Sequence, residues 1–253
     1  MDKNVLRYVE NVLKRPVEIE KLAFQGCTSE VFKVSTNAEA YVLKISSERK
    51  YREWLKNEAL AMHKFAVLKE VAIPKLITFW EDKDRSYLLM SYIQGITLRK
   101  ALEQVNSNRE RAQLLTSFGC FLNNFHALTV KEQSNDWLDR QLQTGYHYAL
   151  EEECDGDLKL WEFLNVHRPN AVRDTFIHGD CTIDNVLVVD GKVAYFIDVA
   201  GMTVGDPRYD EALAIRQMMN QLSDLFAFYE GYTRYKSSVL EFAFFNDGLY
   251  EFF

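Results

Sequence analysis

Residues 176–201, FIHGDCTIDNVLVVDGKVAYFIDVAG, concentrate the side chains of this sequence that can do chemistry. Asp190-Gly191, between the apolar runs 186–189 and 192–197, is the pattern of a two-residue hairpin. That turn pairs Val189 with Lys192 and sets Asn185 opposite Phe196. Asp198 follows on the same face of the strand, about 7 Å beyond Phe196 at the rise of an extended chain. Local geometry therefore gathers Asp180, Asn185 and Asp198 beside the loop 178–184. Two carboxylates and an amide are hard oxygen ligands, which suit Mg²⁺ and not softer metals. Phosphoryl transfer uses such a set: ligands for the metal that carries nucleotide phosphates, and one carboxylate that positions the attacking hydroxyl. Taken singly, Asp and Asn at these places are ordinary turn and cap residues.

Other elements must bring the rest of such a site. Val5, Leu6, Val9, Val12 and Leu13 recur at helical spacing and predict a short amphipathic helix. Strand-like runs follow at 17–24, 30–35 and 40–45, punctuated by turns at 25–29 and 36–37. A helix is predicted over 49–68, with Leu55, Ala59, Met62 and Phe65 on one face, and two more strands at 77–80 and 87–92. Helical periodicity then dominates over 98–105, 108–128, 136–153 and 158–166. A β segment interrupts within 175–196, and helix resumes from Tyr209. A β-rich front and a helical rear predict an α+β fold with an N-terminal lobe at 1–94 and a C-terminal lobe at 95–253. Lys44, in the apolar strand YVLKIS, needs a carboxylate or a phosphate, because an unpaired buried ammonium is costly.

Composition narrows the classes. The 253 residues are 47% apolar and 26% charged with 11 Gly and 4 Pro, which excludes disordered and collagen-like chains. A net charge of −7 argues against a general nucleic-acid binder and leaves room for a cationic ligand. The start, MDKNVLRYVENVLKR, carries charges inside any apolar core a signal peptide would need. No run approaches the roughly 18 apolar residues of a membrane span. Cys27, Cys120, Cys154 and Cys181 lack CxxC spacing, so neither zinc nor a disulfide framework is indicated. A soluble cytoplasmic protein is the base expectation.

The HGD of 178–180, an Asn five residues after its Asp, then IDxxG and GDPRYDEA, resemble the aminoglycoside phosphotransferase family. These are small-molecule kinases with the bilobal protein-kinase-like fold. The resemblance implies that Asp180 is the catalytic Asp, that Asn185 and Asp198 bind Mg²⁺, and that His178 supports the catalytic loop. Asp206 and Asp210 look like that family's buried structural acids. Lys44 would orient the nucleotide phosphates, held by Glu58, with Glu53 as the fallback. Residues 25–30 fall where the phosphate-covering loop belongs, with Gly26, Thr28 and Ser29 as its contacts. Met90 would stand behind the adenine, with the backbone of Ser91 and Ile93 along its edge.

The acceptor is read from the rest of the resemblance. The ending NDGLYEFF is similar to the C-terminus of aminoglycoside 3'-phosphotransferases, which implies that Glu251 and Phe253, with its α-carboxylate, meet the amines of the antibiotic. The segments NDWLDRQLQ and LWEFL also resemble that subfamily. An acidic cluster at 151–157, including Asp155 and Asp157, lies where the family places its antibiotic-binding loop. Carboxylates there suit a polyamine sugar. Arg216 matches a helical Arg of the acceptor side. Departures are Gly201 in place of an Arg, Asn220 and Gln221 in place of an acidic pair, and Val42 in place of the aromatic that stacks on adenine. Tyr41 is expected to face the other side of the sheet, which leaves GTP open beside ATP, and the segment 153–160 is shorter than in those enzymes.

The expectation is transfer from Mg-ATP to a hydroxyl of a cationic small molecule, first of all an aminoglycoside, with no nucleic-acid or membrane partner. Two alternatives stay open: a metabolic kinase acting on choline, methylthioribose, homoserine or a sugar, and a catalytically silent nucleotide-binding module. Lys44, Asp180, Asn185 and Asp198 together count against the silent module. The oligomeric state is not legible in the sequence.

Overall fold

Side-chain alternation along β3, Ala40–Ser46, organises the first of two units. Tyr41, Leu43 and Ile45 share one face, and Val42, Lys44 and Ser46 share the other. The computed structural model, which describes every residue except Met1, Phe24, Cys27 and 132–135, places β3 at the centre of a five-stranded sheet of order β1-β2-β3-β5-β4. Its other strands are β1 Glu18–Lys21, β2 Glu30–Ser35, β4 Leu76–Glu81 and β5 Ser86–Ser91, and every neighbouring pair is antiparallel. Helix α1, Lys3–Leu13, buries Val5 and Val9 against Val34, Leu43, Ile45, Tyr87 and Leu89 on the first face. Tyr41 packs with that cluster, on the face that alternation requires. Helix α2, Arg49–Phe65, buries Leu55, Glu58, Ala59, Met62 and Phe65. Its Arg52 donates to the carbonyls of Asp82 and Lys83, which fastens the helix to the β4–β5 turn.

This unit comprises residues 1–94 and also 196–201. The amide of Phe196 donates to the Ala72 carbonyl, and the 3-10 turn Val199–Gly201 packs on α2. A single cut at 94/95 leaves those six residues with the rear of the chain. They group with the front because their hydrogen bonds and packing are made there.

The second unit holds 95–195 and 202–253. Its elements are β6 Ile96–Thr97, α3 Leu98–Gln104, α4 Asn108–His126, α5 Trp137–Leu150, α6 Leu158–Val166, β7 Thr175–Ile177, β8 Val186–Val189, β9 Lys192–Phe196, β10 Thr203–Gly205, α7 Pro207–Ile215, α8 Leu222–Gly231 and α9 Val239–Phe242. The last residue of β9, Phe196, falls in the first unit. Asp190 and Gly191 have φ of 49° and 75°, the pair of positive angles that a tight I′ hairpin between β8 and β9 demands. Trp137, Leu142, Leu164, Ile177, Leu213, Phe245 and Phe252 form the core between α5, α6, α7 and the C-terminal turns. No helix among the described residues is long and apolar enough to cross a membrane.

Three elements end three residues short of the sequence reading. Strand β1 ends at Lys21, and the expected end at Phe24 lies outside the described residues, as does Asn135 of the NDWLDRQLQ segment. Helix α2 stops at Phe65, where Leu68 turns back to donate to the Phe65 carbonyl. Helix α5 stops at Leu150, and Glu152 has a φ of 54°, which ends helical geometry. Strands β6 and β10 were not anticipated, since two or three residues show no period.

Helices α4 and α8 cross backbone to backbone. A Cβ on Gly119 would lie 2.1 Å from the Phe228 carbonyl oxygen, and one on Gly231 would lie 2.1 Å from that of Thr116. Gly231→Ala is therefore expected to destabilise the protein by about 1–3 kcal/mol, read as a lowered denaturant midpoint. Gly26→Ala, whose Cβ meets only the Ser29 carbonyl at 3.9 Å, should leave that midpoint in place.

Candidate active site

The residues singled out by sequence fall into two groups, one in each unit. In the first, Lys44 projects from β3 toward α2 and donates to both carboxylate oxygens of Glu58 at 2.7 Å. It also donates to Asp198. Burial works against the Lys44 charge, but the carboxylates of Asp198 and Glu58 override it and raise the pKa of the ammonium. Burial pushes the Glu58 carboxyl up, with Lys44 pulling the other way. Glu53 is exposed on the same helix, so Glu58 is the partner. Asp198 has a φ of 56°, in the left-handed region that costs most side chains energy and that Asp tolerates better than most. Its six-residue segment is thus held in strain where its carboxylate meets Lys44.

The loop 25–30 is braced by its own side chains. The Gln25 amide donates to the carbonyls of Leu22 and Val31 and accepts from the Val31 amide. Ser46 donates to the Thr28 carbonyl, which leaves Ser29 to donate to Ser46 at 2.6 Å. The Ser29 hydroxyl, expected as a phosphate contact, therefore pins the loop to β3. A pocket of about 320 Å³ opens beside the loop, lined by Gly26, Thr28, Ser29, Ser46, Tyr51 and Arg85 among others. Along the hinge, Met90 is buried. The Ser91 amide is bonded to Lys75 and the Tyr92 amide to Ala40, so the Ser91 N–H serves the sheet, and Ile93 follows both bonds.

In the second unit, the loop between β7 and β8 is fixed from α7. Buried Asp210 accepts from the amides of His178 at 2.6 Å and Gly179 at 2.8 Å. His126 donates Nε2 to the same carboxylate at 3.2 Å and accepts from Tyr232 through Nδ1 at 2.9 Å. His178 is fully buried, and its Nδ1 accepts from the Asp180 amide. Asn185 reaches back across the loop: Nδ2 donates to the Asp180 carbonyl at 3.0 Å and to Asp180 Oδ2 at 2.6 Å. Arg99 makes a two-pronged pair with Asp184 at 2.5 and 2.6 Å, tying the loop to α3. Asp206 caps α7 and pairs with Arg208.

Each unit carries a hard oxygen donor of the kind Mg²⁺ takes: in the second, Asn185, with its Nδ2 turned to Asp180, offers an amide oxygen, and in the first, Asp198 offers a carboxylate. Among the described residues no group of three or more His, Cys, Asp or Glu could hold a metal alone. Mg²⁺ is held through one or two protein oxygens plus phosphates and water, so a full protein cage is not required.

The acidic segment and the C-terminal tail meet. The Gly156 amide donates to the Glu251 carbonyl at 2.8 Å, and Phe252, fully buried, lies where a Cβ on Gly156 would stand 2.7 Å from its ring. Phe253 stacks edge-on with Tyr148. Asp155 is exposed, while Asp157 caps α6 by accepting from Leu160 at 2.8 Å. Arg216 lies over the Tyr250 ring at 4.7 Å, and the Tyr250 hydroxyl donates to Asp180 Oδ1 at 3.2 Å. Tyr250 was missed from the sequence, and only its place in the YEFF ending could have flagged it. Asp210→Ala would leave two loop amides and the His126 donor without a partner. A loss of about 3 kcal/mol, with a matching fall in thermal midpoint, is expected.

The profile of the phosphotransferase enzyme family, APH, matches residues 19–238. An aminoglycoside 3'-phosphotransferase of Escherichia coli is 25% identical over 155 residues, which cover 56% of this chain and 56% of that relative. The chain thus matches just over half the length of that curated relative. The crystal structure of an aminoglycoside-3'-phosphotransferase of type VIII superposes with a TM-score of 0.79 at 19% identity, covering 99% of this chain and 98% of that one. A putative fructosamine-3-kinase from Haemophilus somnus superposes with a TM-score of 0.58 at 17% identity, covering 92% and 83% of the two chains. Such likenesses at low identity establish the fold. The family profile spans most of the sequence, and the chain belongs to the phosphotransferase enzyme family.

Proposed function

We propose that this protein transfers the γ-phosphoryl group of ATP to a hydroxyl of an aminoglycoside in the cytoplasm. The observation that carries phosphoryl transfer is the largely shielded ammonium of Lys44, held by Glu58 and Asp198. Such a charge, fixed in the sheet before substrate arrives, suits nucleotide phosphates. Lys44 orients the α- and β-phosphates. Gly26, Thr28, Met90 and the Ile93 backbone line the nucleotide. Asn185 and Asp198 would hold Mg²⁺, whose chemistry when bound is to neutralise charge on the phosphates. Asp180 receives the acceptor hydroxyl and takes its proton as transfer proceeds. Catalysis is then mainly positioning and electrostatics.

An aminoglycoside acceptor draws its support from the named relatives and from the acidic end of the second unit. Glu251 and Asp155 are the groups for its amines, through charge-assisted hydrogen bonds. Asp157 has its carboxylate engaged as a helix cap, which makes it the weaker ligand. One observation favours a second reading. Asn220 and Gln221 stand where the resemblance expects two carboxylates, so an acceptor with fewer amines, such as an amino sugar, is the alternative.

A coupled nucleotide-turnover assay with Mg²⁺ and either ATP or GTP tests both. The panel holds kanamycin- and neomycin-type compounds, a fructosamine, choline and homoserine. Turnover dependent on the aminoglycosides is expected, together with raised antibiotic tolerance on expression. Turnover with the fructosamine alone would move the assignment to the second reading, and silence across the panel would refute both. Asp180→Asn should lower kcat by about 10³-fold while Mg-ATP binding persists.

A further inference from the structure

The two oxygens of Asp180 have different donors: Asn185 Nδ2 on Oδ2 at 2.6 Å, and the Tyr250 hydroxyl on Oδ1 at 3.2 Å. We propose that Tyr250 is a positioning residue for phosphoryl transfer, one that holds the Asp180 carboxylate in the rotamer that receives the acceptor hydroxyl. The inference rests on Asp180 being the carboxylate that meets the acceptor.

Tyr250 can do this because its own place is fixed on every side. Leu249 and Phe252 flank it in the sequence and are fully buried. The Glu251 carbonyl between them is tied to the Gly156 amide. Arg216, just past the end of α7, covers the ring at 4.7 Å. The phenol is thus a donor on a rigid arm, and it remains a donor through neutral pH. Burial and the Asp180 charge push its pKa up to about 12, against the pull of Arg216. A carboxylate held at one oxygen still turns about its side-chain bonds. Held at both, it has lost that freedom before the acceptor binds, which is the kind of pre-organisation that favours the transferring geometry. A carboxylate oxygen has a second lone pair, so Oδ1 can accept from the phenol and from the acceptor hydroxyl together.

Tyr250→Phe keeps the ring, its stacking on Arg216 and the tail packing, and removes the hydroxyl alone. Against the acceptor found in the turnover panel, its kcat should fall about tenfold, the size of one hydrogen bond to a charged group. The KM for Mg-ATP and the thermal midpoint should stay at wild-type values. A kcat equal to wild type would overturn the proposal. So would a fall in kcat accompanied by a lowered thermal midpoint, which would make Tyr250 a packing residue. A second measurement needs no turnover. With ¹³C at tyrosine Cζ, the resonance absent from Tyr250→Phe is identified in the wild-type spectrum and followed in Asp180→Asn. A shift is expected, and an unmoved resonance would show that the phenol and the carboxylate are not paired. If no acceptor is phosphorylated by the wild type, the proposed function fails, while the carbon resonance still decides the pairing.

Discussion

A lysine ammonium in the middle of a sheet is the constraint on which the first unit depends. Lys44 sits on β3 with its neighbours Leu43 and Ile45 buried, and an isolated charge there would be prohibitive. Two carboxylates hold it, and each comes from a different kind of element. Glu58 is delivered by α2, whose buried face is otherwise apolar. Asp198 arrives from far along the chain, itself in a left-handed conformation, on a six-residue segment that packs against α2. The sheet, the helix and the returning segment are thus tied together at one charge. In the proposed reaction such an ammonium is held ready for a phosphate, whereas an ion pair kept only for stability has little advantage over an apolar contact.

The second unit solves a related problem with backbone groups. A loop that must present Asp180 and Asn185 cannot also form a regular ladder, so its amides need partners elsewhere. Asp210 supplies them from α7, and His126 and Tyr232 extend the network into α4 and the end of α8. Asp210, His126, His178 and Tyr232 are all buried and bonded, which makes the base of the loop rigid. The side-chain contacts of the loop then fall to Asn185 and Tyr250, which take one oxygen each of Asp180.

Much of this was legible because it is local. Strand β2 was read with its observed bounds, since alternation and turn residues mark it clearly. The Asp190-Gly191 hairpin follows from two residues that tolerate positive φ. Lys44 announced itself as a charge in an apolar run, while Glu58 came from the family resemblance with Glu53 as fallback, and the structure decides between them by burying Glu58 and exposing Glu53. What stayed hidden depends on contacts between distant segments. Strands β6 and β10 exist only through pairing with β8 and β7. That residues 196–201 belong with the front of the chain is a matter of packing on α2. Ser46 and Ser29 look like any serines until their mutual hydrogen bond pins the loop. Tyr250 carries no signal of its own, because its meaning comes from an aspartate 70 positions earlier.

Transfer of a phosphoryl group from ATP to a hydroxyl leaves a product that can be seen directly. Phosphorus NMR of a completed reaction with Mg-ATP and a kanamycin-type acceptor tests it most directly. A new phosphate monoester resonance on the acceptor, growing in step with ADP, is expected. ADP accompanied only by inorganic phosphate, or ATP left unchanged, would contradict it.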